Sequence, residues 1–285
     1  MKAYRASILR FDSQDAAVFD KDGLLVVGFA GPGNERRQPD PPKGCEKTWD
    51  GPASSHEQVL AVGPYADVLR AYPGIEVEHL PGRIIAPGFI DLHVHYPQID
   101  VIGSPASGLL PWLEKYTFPQ EGRFTDAAHS AEVAQFFITE LLRNGVTTAL
   151  TFATSHPASV HAFFAEARQR RLRMISGKVL QDRHSPDSVR DETEQSLIDT
   201  EALIGQWHGV DRLGYAITPR FAPSCSDAQM RGAAALAARY PDVWIQSHVA
   251  ENRDEVAWVR SLYPQARSYL AVYDDFGLMR QRSVY

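Results

Sequence analysis

Two histidines one residue apart end an apolar stretch of this chain, Ile84-Ile85-Ala86-Pro87-Gly88-Phe89-Ile90-Asp91-Leu92-His93-Val94-His95. Residues two apart in a strand share a face, so His93 and His95 project together and can share one metal ion. Pro87-Gly88 restricts and then frees the backbone, so the chain can turn into the strand. A second cluster lies downstream in Trp244-Ile245-Gln246-Ser247-His248-Val249-Ala250-Glu251-Asn252. There an apolar strand ends in His248, and Glu251 follows as a helix opens. Three neutral imidazoles on zinc, with one position left for water, form a catalytic arrangement. Such a metal lowers the pKa of water to about 7. A nearby carboxylate that is not a ligand can then carry protons, and Glu251 suits that role. Each part has an ordinary alternative. A His-x-His arises by chance, His248 could be a satisfied core histidine, and Glu251 could be a helix N-terminal carboxylate favoured by the dipole. The combination outweighs them only if a fold brings both strand ends to one face.

The elements that would do so are legible downstream of Pro87, where strands and helices alternate. Val146 to Phe152 reads as a strand followed by a helix over Ser159 to Arg170, and Arg173 to Leu180 as a strand followed by a helix over Ser188 to Ile204. Leu213 to Thr218 and Ser226 to Arg239 repeat the pair, as do Val243 to Ser247 and Asn252 to Leu262. A long helix before the second strand carries Val133, Phe136, Phe137, Glu140 and Leu141 at helical spacing, with Asn144-Gly145 as its stop. Regular alternation predicts a parallel α/β sheet or barrel, and strand ends in a (β/α)₈ barrel converge on the face where chemistry occurs. Such a barrel needs eight strands, whereas five are visible here, with Gln281 to Tyr285 reading as the opening of a sixth. The expectation is a barrel cut short after about five strands.

Residues 1–83 form a different kind of segment. Ala3 to Phe11, Ala16 to Val27 and Gln58 to Val62 read as strands, with Asp22-Gly23 as a turn signal. Gly31 to Pro52 is rich in Gly, Pro and charge and reads as an exposed loop. The predicted organisation is a small β-sandwich-like part over 1–83 and a barrel over 84–285.

Composition narrows the function classes. The 285 residues are 44% hydrophobic and 22% charged, ordinary for a globular protein, and no run approaches a membrane span. The N-terminus lacks a signal-peptide apolar core, and Cys45 and Cys225 are too few for a disulfide framework, so a cytoplasmic enzyme is expected. Net charge is −6, and the densest basic patch, Gln169 to Arg173, falls where a helix should end and cations are favoured. Nucleic acid is not an expected partner.

Pro87-Gly88-Phe89-Ile90-Asp91-Leu92-His93-Val94-His95 resembles the first-strand signature of the amidohydrolase superfamily. Tyr96-Pro97-Gln98, Leu110-Pro111-Trp112-Leu113, Thr218 to Cys225 and Gln246 to Asn252 resemble the guanine deaminases within it. The resemblance implies a distorted (β/α)₈ barrel flanked by a small sandwich to which a C-terminal segment contributes. It implies one zinc, or iron, held by His93, His95 and His248, with a further His and an Asp expected beyond Tyr285. It implies a homodimer acting on guanine and water, with His95, His248 and Glu251 also meeting the substrate. Gln98 then offers a donor and an acceptor to a purine edge. Arg220 offers a fork to a carbonyl oxygen and a neighbouring ring nitrogen. Phe221 packs on the ring face and Trp112 closes a wall. Without the resemblance, Gln98 could be a loop residue, Arg220 could pair with a structural carboxylate, and the two aromatics could be core. His156, His184, Asp182 and Arg183 follow strands and could line the rim, but none is expected to be a ligand. The alternatives are an aminohydrolase of cytosine, a pterin, a triazine or a modified nucleoside, and an inactive scaffold.

Overall fold

A computed structural model describes residues 1–29 and 57–285. The loop expected at Gly31 to Pro52, with Cys45 in it, lies outside the described residues. The chain divides into two compact units, Met1–Pro87 and Gly88–Tyr285.

The first unit is a four-stranded sheet of order β3-β2-β1-β4. Its strands are β1 (Lys2–Phe11), β2 (Ala17–Phe29), β3 (Glu57–Pro64) and β4 (Val77–Ile85), with helix α1 (Tyr65–Ala71) between the last two. β1 runs antiparallel to β2 and parallel to β4. Ala3, Leu24, Val26 and Val68 form its small buried core. The turn expected at Asp22-Gly23 is not there: both residues lie inside β2, and Gly23 pairs with Ala6 beside a register shift. A Cβ on Gly23 would stand 2.7 Å from Ile8 Cγ1, so the glycine serves close packing. The hairpin turns instead at Asp12, whose Oδ1 accepts from the backbone N–H of Gln14 and Ala16 at 2.9 Å each.

The second unit carries β5 (Phe89–His95), β6 (Val146–Phe152), β7 (Arg173–Gly177), β8 (Val179–Leu180), β9 (Gly214–Pro219), β10 (Trp244–Gln246) and β11 (Ser283–Val284). Its helices are α2 (Leu109–Trp112), α3 (Phe118–Gly122), α4 (Ala127–Arg143), α5 (Pro157–Gln169), α6 (Thr193–Trp207), α7 (Asp227–Arg239), α8 (Arg253–Leu262) and α9 (Tyr269–Asp275). The strands pair in parallel in chain order, β5-β6-β7-β9-β10-β11, with β8 adding to β9. Sequential parallel order with a helix in each crossover is the winding of a (β/α) barrel, here a curled half-barrel of six strands.

Three details differ from the sequence expectation. The strand expected over Arg173 to Leu180 breaks at Lys178, where Tyr215 Oη accepts from the Lys178 N–H at 3.0 Å. A Cβ on Gly177 would fall 1.8 Å from Ala216 O, so the close approach of β9 requires glycine at that point. Helix α6 begins at Thr193, not Ser188, because Pro186 starts a turn and Asp191 is drawn inward to a buried ion pair with Lys178 at 2.6 Å. Phe136 on α4 faces outward at 53% exposure, while Val133, Phe137, Ile138 and Leu141 form the buried stripe. That stripe joins Phe163, Phe164, Trp207 and Tyr215 in the main core.

Candidate active site

Strand alternation puts His93 and His95 at the end of β5 on one side, and His248 arrives two residues past β10. The three offer ligand atoms within 4.8 Å of one another. His95 Nε2 lies 2.9 Å from His248 Nε2, and the His95 ring stacks on Phe152 at 4.5 Å between centroids. His248 Nδ1 donates to the Arg220 carbonyl at 2.5 Å, which leaves its Nε2 lone pair facing the other histidines. Burial keeps the imidazoles neutral: it pushes His248 down to about 3 and His95 well below the usual range, with neighbouring positive groups adding to it. Burial also lowers His93, against the smaller opposing pull of Asp91.

This donor set suits a divalent metal. The imidazoles are uncharged, their nitrogens converge, and one has its tautomer set by a backbone carbonyl, as zinc-ligating histidines require. His95 Nδ1 faces Gln98 Nε2 at 3.0 Å, so His95 Nε2 holds a proton shared with His248 Nε2.

Glu251 stands beside this cluster. The chain reaches it through Ala250, which takes a φ of +56°. The Glu255 carboxylate secures the approach, accepting from the N–H of Glu251 at 2.9 Å and of Asn252 at 3.1 Å. Asn252 in return caps α8 by accepting from the Asp254 N–H, and Tyr269 Oη donates to Glu255 at 2.6 Å. Burial raises the Glu251 pKa, the Glu255 charge raises it further, and Arg220 opposes both. A carboxyl held in this way is poised to exchange protons nearer neutrality.

One cleft, open to solvent, brings these groups together. His93, His95, Gln98, Arg220, His248 and Glu251 line it as its polar part. Trp112, Phe221, Leu109 and Leu113 supply the apolar walls. Trp112 ends the short helix α2, and Arg220-Phe221 directly follow β9. Every residue singled out from the sequence as ligand, proton carrier or substrate contact therefore lines a single cavity.

The residues considered for the rim do not line it. His156 Nε2 meets the Ser188 carbonyl at 3.0 Å, and His184 Nδ1 donates to the Pro223 carbonyl at 2.7 Å. The Asp182 carboxylate receives the Ser226 N–H, the Ser226 hydroxyl and the Thr193 hydroxyl. Arg183 binds the carbonyls of Ala222 and Pro223. These groups brace the loops behind the cleft.

Sequence reading missed Glu121 and Glu255. Glu121 is fully buried on α3 and grips the buried Arg220 guanidinium with both oxygens, at 2.6 and 3.1 Å. Arg220 thus has the carboxylate partner that its ordinary reading called for, and it also lines the cleft. No local periodicity marks Glu121, whose partner lies 99 residues away. Glu255 had a signal, an Asn three residues before a Glu at a helix start.

Residues 84–285 match the model of the amidohydrolase family. Guanine deaminase of Escherichia coli (strain K12) is 49% identical over 211 residues, covering 74% of this chain and 48% of that protein. A solved structure of E. coli guanine deaminase superposes with a TM-score of 0.85 at 40% identity, over 99% of this chain and 61% of that one. Guanine deaminase from C. acetobutylicum, with guanine bound in its active site, gives a TM-score of 0.80 at 30% identity, again over 99% and 61%. The chain therefore spans between 48% and 61% of the length of these relatives.

Proposed function

The chain belongs to the amidohydrolase family, and from that premise we propose that it serves the hydrolytic deamination of guanine to xanthine and ammonia. The observation that carries the reading is the meeting of three imidazoles, Glu251, Gln98 and Arg220 in one cleft with aromatic walls. The guanine deaminases among its relatives support the choice of substrate.

In this reading His93, His95 and His248 hold a zinc ion, with iron the second choice for an imidazole-rich site. When bound, the ion supplies a Lewis acid that eases the deprotonation of water. Arg220 directs its free N–H groups at the purine carbonyl, and Gln98 meets a neighbouring ring position. Phe221 and Trp112 cover the ring and thin out competing water. Glu251 takes a proton from the attacking water and delivers it to the ring nitrogen beside the amino-bearing carbon. The water oxygen bonds to that carbon, the hydroxyl so added gives up its remaining proton through Glu251 to the amino group, the C–N bond breaks, and ammonia leaves. The raised Glu251 pKa fits a group that must accept and release a proton in one cycle.

We place the protein in the cytoplasm as a homodimer. Family resemblance supports the dimer, and a chain with only two cysteines, too few for a disulfide framework, supports the cytoplasm. Sedimentation of the purified protein tests the dimer.

The substrate assignment is tested by ammonia release from guanine, cytosine, a pterin and an amino-triazine, with metal content measured on the same sample. Guanine is the expected substrate, with about one metal ion per chain. Release from another heterocycle and none from guanine would reassign the substrate. A metal-free, inert protein would favour the scaffold alternative.

A further inference from the structure

One buried carboxylate reaches two of the groups that line the cleft. Glu121 Oε2 accepts from Arg220 at 2.6 Å, and Glu121 Oε1 accepts from both Arg220 and the Gln98 Nε2, each at 3.1 Å. Glu121 is 0% exposed and Arg220 2%, so water does not compete for these bonds. A carboxylate only accepts hydrogen bonds, so the Gln98 amide must turn its NH₂ toward Glu121. Its Oε1, which has no protein donor among the described residues, is then the end left for a ligand. The same carboxylate locks the Arg220 fork with two parallel bonds, which fixes where its other N–H groups point.

We propose that Glu121 is a positioning residue that sets the polarity of the recognition edge: an acceptor from Gln98 and donors from Arg220. An edge of that polarity selects a heterocycle presenting a lactam, an N–H beside a C=O. It disfavours a ring that presents a bare nitrogen acceptor there. The proposal rests on the guanine reading and adds to it the group that decides which end of Gln98 the substrate meets. Removing the charge while keeping the shape changes the logic. In Glu121→Gln the new side chain can both donate and accept, so it no longer forces the Gln98 amide to turn its NH₂ inward, and only His95 Nδ1 at 3.0 Å still holds that end.

The test uses the metal-loaded protein and its Glu121→Gln variant. The probes are guanine, with a lactam, and 2-aminopurine, which keeps the reacting amino group and lacks the lactam. Wild type is expected to favour guanine by at least about 10²-fold in kcat/KM, since a site built to hydrogen-bond a group rejects an analogue lacking it. In Glu121→Gln that ratio should narrow about tenfold or more, with guanine KM raised about 10-fold or more and kcat within about threefold. General loss of structure lowers both substrates together and leaves the ratio alone. An unchanged ratio in a folded variant overturns the proposal.

Nuclear Overhauser contacts provide a second readout that needs neither turnover nor a variant. In wild type the Gln98 amide protons should contact the Glu121 methylenes, and their absence overturns the proposal even if Glu121→Gln does not fold. Wild type that neither binds nor deaminates guanine removes the guanine reading. The amide contacts still decide whether Glu121 orients Gln98.

Discussion

At the scale of single residues, the proposed roles separate metal holding from proton carrying, and Glu251 is where they can be pulled apart. Glu251 lines the cleft, whereas the cluster among the described residues that could hold a metal is made of three histidines. Glu251→Gln should therefore retain bound metal and lose turnover by at least about 10²-fold, the usual worth of a positioned proton carrier. Metal analysis and ammonia release on one preparation check this, and normal turnover would discard the role. What could be read of this site followed from local rules. Alternation puts His93 and His95 on one side of β5, and only their combination with His248 and Glu251 at a helix start outweighs the ordinary reading of each. Glu121 could not be read, because nothing local distinguishes a buried acid on a five-residue helix from an exposed one. Its meaning comes from Arg220 and Gln98, which reach it only after the sheet has curled.

At the scale of elements, the start of α8 holds Glu251 in place. Glu255 receives two backbone N–H groups and the Tyr269 hydroxyl, while the chain ahead of it passes through the left-handed φ of Ala250. Glu255→Ala leaves the two part-buried backbone donors and the buried Tyr269 hydroxyl without their acceptor, at about 1–3 kcal/mol for an unsatisfied group or a lost cap. Urea unfolding should show a lower midpoint with little change in slope, and a midpoint matching wild type would remove the cap from this account. Element types were legible where periodicity and caps agreed, as in α4, α7 and α8, which begin after Asp126, Ser226 and Asn252. They were not legible where tertiary contacts overrode local signals. Asp22-Gly23 has turn chemistry, yet β2 runs straight through it because Ile8 fills the space a side chain would need. The first turn expected of α6 is undone by the pull of Lys178 on Asp191. Strand β4 went unread because it pairs in parallel with β1, far back in the chain, and no hairpin announces it.

At the scale of the whole molecule, the β-α alternation made the winding of the half-barrel legible, since parallel neighbours joined by helices admit few other arrangements. The thermodynamic consequence of that winding lay outside the reach of sequence. The strands gather imidazoles at one sheet end, with His248 buried and His95 half-buried beside it and beside Arg220. Both are held below the ordinary histidine value of 6.5, His248 at about 3. On acidification from pH 7 the unfolded chain takes up protons at these positions before the folded protein does. Stability is therefore full above about pH 6.5 and falls as pH drops below it. Each such histidine contributes up to about 1.4 kcal/mol per pH unit in that window. Glu251 and Asp191 act in the opposite sense, since their raised pKa values let the folded state bind protons first. Their effect enters nearer the carboxylate range, so the slope should be steepest between about pH 6.5 and 5 and shallower below. Urea midpoints of metal-free protein across that range test the argument, and a flat profile would refute it. His248→Gln, which removes one of the two groups, should flatten the wild-type slope. Added zinc, which needs the same imidazoles unprotonated, should stabilise the protein most at pH 7 and progressively less toward pH 5.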